Sequence, residues 1–453
     1  MDRVAFQPGD ITEFQYLSAV IDRTTGEAKF EFAVAGASGG STETFIERVT
    51  FTLADEGVAV DWPRVDALVA LLGAVLGLSY YKAAAPPVYS VLALGLTDAA
   101  LDYLALALKH GLAEFAYRAG LPGLVEPRIE RSSGAATFAD VLTPTGPPLV
   151  PIGGGKDSVV TVESLVAAGL APVQFAVNAN AIIRRVADAS GLPLVTATRS
   201  LDRRLLELND DGALNGHVPV TAMNSLIALI QSRLLELGPV VMSNESSASD
   251  PTLVWNGEPV NHQWSKSLTA ERALRDAIQA QAGLADAYFS LLRPFSELRI
   301  ARGFATTTKY DSSIVSCNRA FRLGADTVGW CGDCDKCRFV YLVFATFMPR
   351  DRVTSIIGKN MLDDPEQLDG YRALLGLGAH KPFECVGEEA ECSVAMSIVS
   401  RNPEWSSSAV LKALLAEIPN LREGSADLEH RVLDDAEADS LPELYERARR
   451  ALV

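Results

Sequence analysis

Histidine, tryptophan, cysteine and methionine are all scarce in this chain, at 5, 5, 6 and 6 residues out of 453. Aromatic residues make up only 7%, and basic residues fall short of acidic ones, 40 against 57. Each shortage excludes something. A net charge of −17 leaves no broad basic face, so no nucleic-acid partner is expected. Six cysteines in so long a chain do not make the disulfide framework of a small secreted domain. The opening stretch "MDRVAFQPGDITEF" lacks the basic start and apolar run of a secretory leader. The longest apolar run, Ala67 to Tyr81, stops at Lys82 and is shorter than the roughly 20 residues that cross a bilayer. The expectation is a soluble, cytoplasmic protein with no membrane partner, acting on a small molecule.

What is present suggests two or three domains, since the chain exceeds what one core usually organises. The N-terminal part, 1–146, is expected to be α+β. "KFEFAVAG" and "ETFIERVTFTL" read as antiparallel strands joined around Gly39 and Gly40, followed by helical spacing in "PRVDALVALLGAVLGLSYY" and "DAALDYLALALKHGLAEFAYRAG". The Pro/Gly-rich "LTPTGPPLV" closes it. Over 147–348 the short apolar runs "LVPI", "PVQFAVN", "PLVTATR" and "GPVVMSN" alternate with helical segments, the pattern of βαβ units on a parallel sheet. Their polar ends would put Gly153 to Ser158, Asn178, Thr198 and Asn244 on the carboxyl rim, where such sheets bind ligands. From 349 to 453 the chain reads as helical and acidic, with no visible chemistry in its last sixty or so residues.

One stretch concentrates glycine. "LVPIGGGKDSVV" runs from a strand through three glycines into a helix, which brings unobstructed N–H groups and the positive end of a helix to one place. A Walker loop would need glycine where Val150 stands and Ser or Thr at Asp157; the dinucleotide fingerprint needs glycine at Ser158. "GGGKDS" instead resembles S-G-G-x-D-S, the pyrophosphate (PP) loop of the ATP pyrophosphatase superfamily, with Gly153 in place of the first serine. The resemblance implies an α/β fold with a parallel-sheet, adenine nucleotide alpha hydrolase-like domain, and cleavage of ATP between its α- and β-phosphates. Gly153, Gly154, Gly155 and Ser158 would hold the pyrophosphate, Asp157 would position Mg2+, and Lys156 would neutralise charge.

Cys317, Cys331, Cys334 and Cys337 gather in "SCNRAFRLGADTVGWCGDCDKCRF". Short Cys-x-x-Cys spacings in a reducing compartment suit a closed tetrahedral zinc site of structural kind, with free buried thiols as the alternative. The C-G-x-C-x-x-C part resembles the zinc motif of 7-cyano-7-deazaguanine synthases.

Further stretches, "VNANAIIRRVADASGLPLV", "NGHVPVTAMNSLIALI", "VNHQWSKSLTAE", "SCNRAF" and "KPFECVG", together with "GGGKDS", resemble the UDP-N-acetylmuramoyl-L-alanyl-L-glutamate epimerase family over essentially the full length. That implies inversion of the terminal L-glutamate of UDP-MurNAc-L-Ala-L-Glu, with ATP and Mg2+, in peptidoglycan precursor synthesis. Within these motifs His217, His262 and Cys385 are candidate proton carriers, each with a buried structural role as the alternative. Arg184, Arg185 and Lys266 are candidate phosphate or carboxylate partners, one arginine of the pair being equally suited to a solvated helix face. Asn178 and Asn180 are candidates for the adenosine, Asn244 and Glu245 for the nucleotide and its magnesium, and Glu47 for a substrate contact from the N-terminal part. Two rivals stand beside this reading: a deazaguanine-type nitrile synthase, and a regulatory module that binds nucleotide without turnover.

Overall fold

The computed structural model describes residues 6–37, 42–55, 57–92, 95–131, 135, 137–321, 329–378, 384 and 386–452. Its frame is a mixed α/β sheet of ten strands. β1 (Ile11–Ile21), β2 (Glu27–Gly36) and β3 (Thr42–Thr50) form an antiparallel meander, and β4 (Val88–Val91) and β5 (Arg128–Arg131) extend it in parallel beside β1. The expected turn at Gly39 and Gly40 lies outside the described residues, but the strands it joins pair as read. Alternation makes them strands: Ala28, Phe30, Phe32 and Val34 turn inward from β2, and Phe45 and Val49 from β3.

β6 (Leu149–Pro151), β7 (Val173–Val177), β8 (Leu194–Ser200) and β9 (Val240–Met242) are the four runs read from the sequence, and all pair in parallel. A small hairpin, β10 (Leu253–Trp255) and β11 (Glu258–Val260), precedes β12 (Tyr288–Ser290), which joins β9 in parallel. The sheet order is β12-β9-β6-β7-β8-β3-β2-β1-β4-β5. From β6 the chain winds outward through β7 and β8, then returns to β9 on the other side of β6. The switch point therefore lies between β6 and β9, where a crevice opens at the carboxyl ends of the strands.

β3 pairs antiparallel with β8, so the sheet is continuous across the proline-rich segment at residue 146. Helix Trp62–Leu76 packs on β1 and against helices Val220–Leu234 and Leu268–Ala282, and one core cluster draws on both halves of the chain. With the turn that follows, this helix forms a 20-residue apolar span to Tyr81, long enough by length and composition to cross a bilayer. Here 83% of its most apolar window is buried as protein core, which explains the composition without a membrane. A second core joins helix Lys156–Ala167 to the C-terminal helices through Phe304, Phe339 and Phe344.

Candidate active site

The glycine loop leaves β6 and ends at helix Lys156–Ala167, whose N-cap is Gly155 with no side-chain cap, so the first N–H groups remain available to a ligand. Gly154 has φ +85°, a left-handed conformation that a side chain would strain, and a Cβ there would meet Ile182 at 3.1 Å. Over the loop lies the segment that opens the cysteine tract: Val315 N–H donates to Gly154 C=O at 3.1 Å, and Ser316 packs on Gly155. Beside it opens a cleft of about 350 Å³, lined by Gly153, Gly155, Asp157 and Ser158 and, across the switch point, by Asn244 and Glu245.

The cleft mixes both signs of charge. Asp157, Glu245 and Glu297 face it, as do Lys266 and Lys336. Lys156 does not line it: its ammonium is buried between Asp157 and Glu297, which outweigh the opposing effect of burial and raise its pKa. Burial would raise Glu297, but Lys156 and Lys336 prevail and hold it near 2, with Lys336 at 3.5 Å. Glu245 is raised, first by burial and then by the charges of Glu297 and Asp157, with Lys266 opposing. A carboxylate so placed favours a cation beside it. Arg293, itself buried and bonded to Glu271 at 2.6 Å, donates to the Glu245 carbonyl at 2.8 Å and sets this corner. Ser243 Oγ, buried at the cleft wall, has no hydrogen-bond partner among the described residues.

Of the residues singled out in the sequence, Gly153, Gly155, Asp157, Ser158, Asn244, Glu245 and Lys266 meet at this cleft. Others are occupied elsewhere. Asn178 exchanges two 2.9 Å hydrogen bonds with the Arg199 backbone, and Asn180 caps helix Ala181–Ser190 through Ile183 N–H at 3.0 Å; neither side chain lines the cleft. Thr198 lies within β8 opposite Thr50 rather than at the rim. Arg184 and Arg185 are both exposed on that same helix and away from the lining. Glu47 is fully buried at an inward position of β3 and bonds Arg199 at 2.5 Å, so its carboxylate belongs to the joint between the halves. Cys385 lies outside the described residues.

His217 and His262 come together away from the lining, with ring centres 4.7 Å apart, beside Glu114. Burial, then the neighbouring His262, lowers His217 to about 4. Rings this close cannot stand on opposite sides of a substrate carbon. Sequence reasoning missed Glu114, Glu297 and Lys336, and also Thr221 and Asn224, which line the cleft one helical turn apart within the quoted "VTAMNS".

The four cysteines of the tract converge, their sulfurs all within 4.8 Å of one another. Cys334 and Cys331 lie 3.5 and 3.7 Å from Cys337, close to the roughly 3.8 Å between ligands of a tetrahedron with 2.3 Å bonds. A hydrogen bond with Cys337 draws the Cys334 thiol down to about 5. The set fits a four-thiolate metal centre, and it lies at the start of helix Asp335–Ala345, which presents Lys336 to the cleft.

Residues 5–291 match the domain family described as the MurL N-terminal domain, and residues 313–429 match the MurL C-terminal domain. Relatives named UDP-N-acetyl-alpha-D-muramoyl-L-alanyl-L-glutamate epimerase come from Salinispora tropica, 48% identical over 412 residues, and Micromonospora sp., 49% over 414. The chain belongs to this epimerase family. A third member, from Xanthomonas oryzae pv. oryzae, is 38% identical over 448 residues and 98% of each chain. The first two alignments cover 90% of this chain and 89% and 91% of the relatives. Membership makes the chain an isomerase and sets it apart from the nitrile synthases that its cysteine motif resembles. No solved structure matches it.

Proposed function

We propose that the chain inverts the terminal L-glutamate of UDP-MurNAc-L-Ala-L-Glu to D-glutamate at the expense of ATP, through an acyl-adenylate, in peptidoglycan precursor synthesis. One observation carries the reading: in a chain of this epimerase family, a glycine loop and an uncapped helix start open onto a cleft at the switch point of a parallel sheet. This supports assigning the region to the PP-loop class. ATP and a nucleotide-linked sugar are both cytoplasmic metabolites, in keeping with the location expected from the sequence.

In this mechanism a glutamate carboxylate oxygen attacks the α-phosphorus, and the bond to pyrophosphate breaks. N–H groups of the loop and the Ser158 hydroxyl receive the leaving pyrophosphate, with Lys266 and Lys336 at hand for its charge. Asp157 and Glu245 would hold Mg2+, which supplies charge neutralisation there. Losing the α-proton from a free carboxylate would create a dianion, and the mixed anhydride removes that obstacle by replacing the charge with an electron sink. Return of a proton to the opposite face and hydrolysis of the anhydride complete the inversion. The histidine pair, away from the cleft lining and with ring centres 4.7 Å apart, does not supply the two faces. In the cysteine tract we assign a structural Zn2+ that holds Lys336 and the segment over the loop in place.

The test is incubation with ATP, Mg2+ and UDP-MurNAc-L-Ala-L-Glu, with measurement of AMP and of glutamate chirality after hydrolysis. AMP together with D-glutamate is expected. ATP cleavage only with a deazapurine acid, or no turnover at all, would overturn the reading in favour of a nitrile synthase or a binding module.

A further inference from the structure

Glu114, His217 and His262 reach one another from three separate stretches of chain. Glu114 sits in helix Ala113–Arg118, His217 precedes helix Val220–Leu234, and His262 follows β11. Both imidazoles turn the same nitrogen, Nδ1, toward the same carboxylate oxygen, Oε2, at 2.5 Å for His262 and 3.7 Å for His217. The first distance is a short hydrogen bond and the second is too long for one. Both rings thus aim a metal-ligating nitrogen at one carboxylate oxygen, and a cation between the three would take a donor from each, with Glu114 and His262 parting to the roughly 3 Å between donors on one ion with bonds of about 2.0–2.1 Å. One ligand atom from each residue lies within 4.8 Å of the others. Arg118 Nε donates to the opposite oxygen, Oε1, at 2.7 Å and fixes the carboxylate so that Oε2 faces the histidines. Outer partners of this kind orient the ligands of metal sites. The Glu114 side chain is 6% exposed while His217 and His262 keep 25% and 20%, so the cluster is anchored behind and accessible in front.

We propose that Glu114, His217 and His262 bind a divalent transition-metal ion of the zinc type, at a site separate from both the cysteine tract and the glycine loop. Two imidazoles with one carboxylate suit such an ion and disfavour Mg2+, which takes oxygen ligands. Three protein ligands leave a coordination position open, in contrast to the closed set of four thiols. The open position takes an oxygen donor, a carboxylate or a phosphate of the substrate. His262 lies four residues before Lys266 and His217 four before Thr221, both of which line the cleft.

The experiment uses the metal alone. Full-length protein is stripped of metal, saturated with Co2+, freed of unbound metal, and assayed for bound metal and absorption spectrum. Glu114→Gln and His217→Ala should each bind one equivalent fewer than wild type while keeping any thiolate-to-cobalt band. Cys334→Ser should keep that equivalent, with the weaker bands of nitrogen and oxygen ligands. His262→Gln serves as a second variant should His217→Ala not fold, as judged by a thermal melt of the metal-free protein. Equal binding by wild type and the histidine variants would overturn the proposal. Because the readout is bound metal rather than turnover, failure of the adenylation reading would show separately, as absence of AMP.

Discussion

Asp157 stands in the first turn of the helix after the glycine loop, facing the cleft and bonded to the buried Lys156. Asp157→Asn keeps the shape and removes the charge. AMP formation should fall by roughly 10²-fold or more while the thermal melt stays close to wild type; near-normal pyrophosphate release would remove the loop from the mechanism. Glu391 offers a different check. Burial, and then the charge of Glu297, raise its pKa well above the ordinary carboxylate range, and one of its oxygens has no hydrogen-bond partner among the described residues. The folded protein thus keeps a proton there that the unfolded chain releases above about 4.5. The folded state binds more protons, so this group's contribution weakens as pH rises from there toward the folded pKa. Glu391→Gln cannot ionise and should gain stability relative to wild type as denaturation midpoints are followed from pH 5 to pH 8. A variant that instead loses stability relative to wild type over that range would contradict the assignment. At this scale the sequence was readable where one short motif carries several cleft residues, as in "GGGKDS", whose Gly153, Gly155, Asp157 and Ser158 line the cleft. It misled where asparagines bond the backbone, because Asn178, held on Arg199, and Asn180, a helix cap, carry the same chemistry whether they hold backbone or ligand.

Among elements, the loop and the segment laid across it act together. Gly154→Ala places a side chain at φ +85°, at a cost of about 1 kcal/mol or more, against Ile182 and, behind it, Phe321 and the Val315 carbonyl. Calorimetric titration with ATP should show several-fold weaker binding, and unchanged affinity would mean that the loop does not hold the phosphates. The cysteine tract carries the next step outward. Val315 donates to the loop and Cys317 follows two residues later, while Lys336 sits between Cys334 and Cys337. Cys334→Ser should therefore weaken ATP binding as well as metal binding, although no thiol among the described residues lines the cleft. Spacing revealed the cysteines, but nothing local announced Glu297, which reaches Lys156 from 141 residues away.

For the whole molecule, the decisive feature is the β3–β8 pairing. The parallel half was legible because βαβ units declare themselves by alternation within about thirty residues. Its fusion to the N-terminal meander was not, since the pairing of remote strands leaves no local pattern. Glu47 is the trace it left: an acid at an inward position of "FIERVTF", matched by Arg199 across the joint. A fragment of residues 147–453 would expose the edge of β8 and half of a shared core, so it should express as aggregate. Recovery of a soluble fragment with a cooperative melt would show that the halves fold independently.

The central claim is that activation of a carboxylate by ATP makes the glutamate α-proton removable. It is tested most directly by following deuterium uptake from solvent into the α-position of UDP-MurNAc-L-Ala-L-Glu, with ATP supplied or withheld. Uptake should require ATP and vanish in Asp157→Asn. Exchange that proceeds equally without ATP would contradict the account.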